Sequence, residues 1–269
     1  MKNTLRYITL SLAAFLIMMP LLYALLISVE TAADSVAFPP RFIPSELYFA
    51  SYEKALQTAP VFQFIINSFI VAAAVTLGQL VTCSLAAYAF AFLEFPGKNI
   101  LFYIFLSTMM IPWEATIIPN YFTIRALDWL DTYQGLAVPF LASAFGTFLL
   151  RQAFLALPRE IFEAARMDGC SKFRFFFTMV LPLSRPALAT LAVYAFLATY
   201  NQYMWPLLVT NTDVMRTVQI GLAMLQWDQA IAWNSSMAGV ILVSCPTILL
   251  LVLGQKQLVK GLTAGSTKG

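Results

Sequence analysis

The chain has no histidine, only three cysteines and few charges for its 269 residues. Without histidine it lacks the commonest metal ligand and the usual general base near neutral pH, which weighs against most membrane-embedded enzymes. Cys83, Cys170 and Cys245 are odd in number and show no paired spacing, so neither a disulfide framework nor a zinc site is indicated. Charged residues make up 11% of the chain, against about 25% in soluble domains. The net charge of +3 is too small to point to nucleic acid. No glycine-rich phosphate-binding loop ending in Gly-Lys-Ser/Thr occurs, so the chain cannot draw on ATP by itself.

What is present is apolar: 60% of the residues. A helix crossing the bilayer core needs about 20 residues at roughly 1.5 Å each, and six runs are long enough. The first, Tyr7 to Val29, follows Lys2 and Arg6. It far exceeds the roughly 7–15 residues of a cleavable signal core, so an uncleaved first span is expected, kinked at Pro20. The second, Val61 to Leu93, is longer than one crossing requires and should tilt or begin outside the bilayer. The third, Asn99 to Phe122, carries one carboxylate, Glu114, between Pro112 and Pro119. Thr132 to Leu150, Pro186 to Thr212 and Gln229 to Gln255 supply the fourth, fifth and sixth.

Between the runs lie a proline-marked segment, Glu30 to Pro60, with a short surface helix expected at Ser51 to Leu56, and a tight turn at Glu94 to Lys98. Arg125 to Asp131 and Asp213 to Asp228 read as loops, and Arg151 to Arg185 forms a polar island. The fold class is therefore an all-α membrane protein with six transmembrane helices and both termini on one side. Twelve of the sixteen Lys and Arg residues fall on that side. Arg41, Lys54, Arg125 and Arg216 fall on the other, so the positive-inside rule assigns the termini and the island to the cytoplasm. The expected divisions are a first helix with its external loop (1–60), a transmembrane core (61–258) and a cytoplasmic tail (259–269).

The island centres on Arg159-Glu-Ile-Phe-Glu-Ala-Ala-Arg-Met-Asp-Gly169, followed by Val180-Leu-Pro182. Pro158 suits a first helical position, Glu160 and Glu163 lie near the positive end of the helix dipole, and Gly169 supplies the stop. Only Ile161 and Phe162 are bulky and apolar in its first turns, unlike a helix made to lie on lipid. Such a polar helix needs a partner outside the bilayer.

Glu163-Ala164-Ala165, then Gly169, then Leu181-Pro182 resembles the EAA loop of ABC-importer permease subunits. The family pattern has isoleucine shortly before Leu-Pro, where Met179 stands here. Tyr200-Asn-Gln-Tyr-Met-Trp-Pro206 and the ending Lys260 to Gly269 resemble the sugar and glycerol-3-phosphate branch. The resemblance implies a type I ABC importer permease fold in the cytoplasmic (inner) membrane of a prokaryote. It implies a coupling helix at 158–170, in which Glu163, Ala164, Ala165, Arg166, Asp168 and Gly169 meet an ATPase. It also implies the partners: a second homologous permease, two copies of the ATPase, an extracytoplasmic solute-binding protein and the lipid bilayer. No cofactor is expected in this chain itself, ATP and magnesium belonging to the ATPase.

A carboxylate deep in a span costs several kcal/mol unless paired or hydrated, so Glu114 is a candidate for the solute path. Counted along a straight helix from Asn99, it lies about 22 Å in. Asn201, Gln202, Tyr203 and Trp205 offer hydrogen bonds and stacking faces suited to a sugar, and are expected to join it. The bland alternative is polar glue between helices, and it weighs more heavily on Asn67, Asn120 and Asn234. Trp129 and Trp233 read as interface residues, and Phe173, Phe175 and Phe176 as packing beneath the permease. A secondary transporter is the rival reading. It would want inverted repeats and several midplane charges, and one carboxylate is present.

Overall fold

The computed structural model describes residues 2–58, 60–227 and 233–263, and helix is its only regular secondary structure. Three helices are long and apolar enough to cross a membrane, or up to six when each sharply bent pair counts as one span. The described chain falls into two units that interleave along the sequence, residues 1–65 with 217–247 and residues 66–216 with 248–269. Residues 264–269, most of the expected tail, lie outside the described residues.

In the first unit, α1 (Lys2–Ser28) runs unbroken through Pro20. None of its apolar window is buried, so its large apolar side chains face outward on every side, apart from Ile27 at its C-terminal end. That is the pattern of a helix solvated by something apolar. Beyond it, Ser28 Oγ pairs with Tyr52 Oη at 2.8 Å, and the Ser51 hydroxyl donates to the Ser28 carbonyl. The Tyr48 N–H donates to Val29 O at 2.8 Å. These bonds fold the 30–60 segment onto the end of α1 and seat α2 (Ala50–Thr58), the surface helix expected there.

The second unit is built on α3 (Val61–Phe92), 32 residues and therefore about 48 Å long, more than one crossing needs. Its C-terminal carbonyls are met by cations, as the helix dipole favours. Lys98 Nζ donates to Leu93 O at 2.8 Å, and Arg151 Nε donates to Phe90 O at 3.2 Å while its guanidinium sits 4.1 Å over the Phe102 ring. The turn at 94–98 is as expected, with Gly97 at φ +76°.

The expected third span is not one helix. α4 (Lys98–Ser107) and a 3-10 turn to Met110 meet α5 (Trp113–Ala126) at 97°. The break falls where Pro112 forces Ile111 into extended backbone (ψ 115°). Pro119, by contrast, stays inside α5. The fourth span also bends, by 46°, between α6 (Tyr133–Ala137) with its 3-10 extension to Phe140 and α7 (Ala144–Leu155). The carbonyls freed there are taken by side chains of α3, since lipid offers no donors. Gln79 Nε2 donates to Phe140 O at 2.9 Å, Thr82 Oγ1 to Leu141 O at 2.6 Å and Cys83 Sγ to Ser143 O at 3.4 Å.

After α8 (Arg159–Met167) come α9 (Lys172–Phe175), a π-helical turn (Phe176–Val180) and α10 (Leu181–Leu183). Pro182 has no N–H to return to the preceding turn, and the helix widens just before it. The chain then bends by 77° into α11 (Arg185–Tyr200). α11 stops at Tyr200, and α12 (Met204–Val209) is a separate short helix, so the expected fifth span is likewise two pieces. In the first unit, α13 (Val218–Trp227) replaces the loop expected at 213–228, because Val218 and Ile220 are buried. α14 (Trp233–Thr263) carries most of the expected sixth span, whose residues 229–232 lie outside the described residues.

Candidate functional site

Two places in the second unit gather the residues that carry chemistry. The first is α8. Pro158 occupies its N-cap (φ −57°, ψ 132°), one position earlier than expected. At the other end Gly169 N–H donates to Arg166 O at 3.2 Å and Cys170 N–H to Ala165 O at 2.9 Å. With Gly169 at φ +69°, this is a Schellman stop, and it needs the glycine. Ser171 then opens α9 by accepting the Arg174 N–H at 3.3 Å.

Glu163, Ala164, Arg166 and Asp168 are exposed on the outer face of α8, with Met167 84% exposed beside them. The inner face stands on aromatic rings. Phe162 stacks on Phe92 at 5.5 Å and meets Phe175 edge-on at 5.4 Å, while the Tyr88 hydroxyl donates to Lys172 O at 2.9 Å. Ala165 is 3% exposed and belongs to this base, so its smallness lets α8 approach its own chain rather than a partner. Phe175 and Phe176 are buried there as expected, but Phe173 is a correction: it lies 73% exposed, because the turn at Ser171 aims it outward.

The second place is where two helix breaks meet. Trp113, at the start of α5, packs edge-on against Trp205 of α12 with centroids 5.7 Å apart, and Phe140 joins both. This contact brings the break at 111–112 beside the break at 201–203. Glu114 is exposed in the first turn of α5, which corrects the straight-helix estimate of its depth: the 97° bend intervenes. Asn201 is the C-cap of α11, exposed, and its Nδ2 donates to Leu197 O at 2.8 Å. Gln202 is half-buried and Tyr203 is 36% exposed. Trp205 is only 1% exposed, and its indole N–H donates to Gly135 O at 3.0 Å. Its ring therefore walls the place from behind.

One contributor is not among the residues the sequence marks. Asp131 accepts the N–H groups of Asn211 and Thr212 at 2.7 and 2.9 Å and the Thr212 hydroxyl at 3.0 Å, tying the end of α12 to the loop before α6. Burial pushes its carboxyl up, but the donors of Thr212 and Asn211 outweigh that and hold it below the usual carboxylate range. Its φ of +54° was the only local signal, and a sequence does not print φ. Asn67 and Asn234 are glue. Asn67 is fully buried, donating to Val214 O and Arg216 O and accepting from Tyr133 Oη, and Asn234 donates to Glu30 O at 2.9 Å. Among the described residues no group of three or more Cys, Asp and Glu side chains could hold a metal.

Three apolar helices of membrane-crossing length and three sharply bent pairs, together with a charged helix exposed on a packed aromatic base, are the build of a multi-pass membrane protein. Residues 83–263 match the family of binding-protein-dependent transport system inner membrane components, and the chain belongs to that family. It is 37% identical over 270 residues to the sn-glycerol-3-phosphate transport system permease protein UgpE of Brucella abortus, covering 97% of this chain and 96% of that one. To the protein of the same name from Pectobacterium atrosepticum it is 42% identical over 207 residues, 76% of this chain and 74% of that one. The fold resembles a chain in the crystal structure of a bacterial ABC transporter involved in the import of the acidic polysaccharide alginate. The TM-score is 0.84 at 22% identity, over 94% of this chain and 95% of that one.

Proposed function

We propose that this permease works with a second, similar permease, two copies of an ABC ATPase and an extracytoplasmic solute-binding protein to import a sugar, a polyol or a glycerol phosphate. The observation that carries the reading is α8, whose charged outer face is exposed while its inner face is locked to the aromatic base. Glu163 and Arg166 offer charges to a groove on the ATPase, Ala164 permits close approach, and Asp168-Gly169 turns the chain back. Ala165 fixes the helix from beneath. ATP and magnesium reside on the ATPase, which carries the hydrolysis. The relatives named for sn-glycerol-3-phosphate support the glycerol phosphate end of the solute range. Glu114, Asn201, Gln202 and Tyr203 line the path, backed by Trp205.

The test is a pair of substitutions. Glu163→Lys inverts a charge on the docking face, and Gly169→Val forces a left-handed position that costs a branched residue at least about 1–2 kcal/mol. Both variants should insert in the membrane yet lose ATPase assembly or uptake by about tenfold or more, the effect of a disrupted charged contact. Normal uptake per complex with both would sink the docking role. The proposed orientation, termini and α8 in the cytoplasm, is tested at Cys170, which is half-buried beside α8. An impermeant thiol reagent should label it in inside-out vesicles and not in intact cells.

A further inference from the structure

Outside α1, the segment before α2 carries large apolar side chains in the open: Phe38 is 95% exposed, Ile43 82%, Phe42 70% and Phe49 63%. A loop in water does not present such a set without a purpose. The same stretch holds Pro39, Pro40 and Pro44, three residues with no N–H to leave unsatisfied. Its one cation, Arg41, pairs with Asp34 at 2.9 Å, and Asp34 also accepts the Ser45 hydroxyl. The segment thus has little charge to desolvate and little backbone to strand.

Its depth can be read from α1. If the apolar core begins at Tyr7, just past Arg6, about 30 Å at roughly 1.5 Å per residue ends near Leu26. Tyr23 then lies about 4–5 Å inside that boundary. The Phe42 ring packs against Tyr23 with centroids 6.5 Å apart, so the segment folds back along α1 to the same level. Its apolar side chains continue the outward-facing wall of α1, where Leu22 and Leu25 are also exposed.

We infer that residues 38–43 form an interfacial anchor whose partner is the lipid of the leaflet at the Ser28 end of α1. Phe38, Phe42 and Ile43 enter the acyl boundary, and Arg41, held by Asp34, stays at headgroup level. The anchor fixes where the 30–60 segment rests on the membrane. It relies on the membrane reading of α1 and not on the nature of the solute.

Photocrosslinking in the intact complex, in native membranes, tests it. Benzoylphenylalanine replaces Phe38, Phe42 or Ile43 in turn, with Ile17 in α1 as the lipid control and Gln57 in α2 as the water control. Adducts with the mass of phospholipid should form at 42 and 43 at a yield near that of position 17 and severalfold above position 57. Crosslinks from 38, 42 and 43 to another polypeptide would show that a protein covers the patch and overturn the anchor, as would lipid yields no higher than at 57. Should the Phe42 variant fail to assemble, Phe38 and Ile43 give the same reading. Failure at position 17 as well would instead indict the placement of α1.

Discussion

The α8 segment, proposed to couple to the ATPase, and the paired breaks are both polar intrusions in an oily chain, yet they are built differently. α8 is closed at its C-terminus by a Schellman stop and rests, through its own Phe162, on Phe92 and Phe175, so its outer face is tied to that base. At the breaks, α11 ends at Tyr200 without a left-handed glycine, its Leu197 carbonyl taken instead by the Asn201 side chain, while α5 begins after Pro112 much as α8 begins after Pro158. Polar groups stand there around an aromatic wall. A helix proposed to transmit force gains from a closed C-terminal end and a rigid footing. A place that solute must enter and leave needs open ends and weak, replaceable contacts. The difference teaches that polarity alone does not mark a site: the footing of the adjoining helix and the finish of its C-terminal end separate the proposed lever from the proposed passage.

The largest expected effect tests the wall. Trp205→Ala removes a fully buried ring and leaves Gly135 O without its donor, a loss of about 3–5 kcal/mol for such truncations. The amount of folded complex in the membrane should fall sharply, while activity per surviving complex changes less. Were Trp205 a solute contact, the order would reverse, with abundant complex and poor uptake. That outcome would erase the distinction between wall and passage.

A smaller effect is expected at Asp131, which steadies the end of α12. Asn tolerates the same left-handed backbone, so Asp131→Asn removes the charge and keeps the turn. The loss of charge-assisted bonds should cost about 1–2 kcal/mol at neutral pH. The sign follows from the depressed carboxyl: the contribution is present above the unfolded pKa and disappears as pH falls through the folded value. Thermal midpoints of wild type and variant should therefore differ at pH 7 and converge in acid. A difference that persists unchanged below the carboxylate range would mean that shape, not charge, holds the clamp.

The sequence carried the outline well because spans declare themselves locally, through runs of uncharged residues. The polar island was legible for the same reason: Pro158, Glu163 and Gly169 act within one helix. The breaks were harder. Pro112 was visible and its effect on Ile111 follows from sterics, but Pro119, equally visible, sits harmlessly inside α5. Nor was it visible that the carbonyls freed at the 140–141 bend would be taken by Gln79 and Thr82, about sixty residues away in sequence. Ala165 illustrates the same limit: its small size was legible, but not which surface it would touch.

The smallest effect is the most informative about the passage. If Glu114 and Gln202 meet solute, they must do so weakly, since an importer that holds its cargo tightly cannot release it. Each contact should then be worth about 0.5–1.5 kcal/mol, a few-fold to about tenfold in rate or preference. Glu114→Gln keeps the shape and removes the charge at an exposed position, so folding should not notice it. Gln202→Leu removes the hydrogen-bonding group from a half-buried one. Both complexes should assemble normally, with uptake per complex or the ranking of solutes altered and stimulated ATPase activity measured alongside. Glue gives the opposite signature: stranding a polar partner in hydrocarbon lowers yield first and leaves the activity of what remains intact. A reduced yield with unchanged activity per complex would remove these residues from the path. The open breaks would then be structural joints, no different in kind from the closed end of α8.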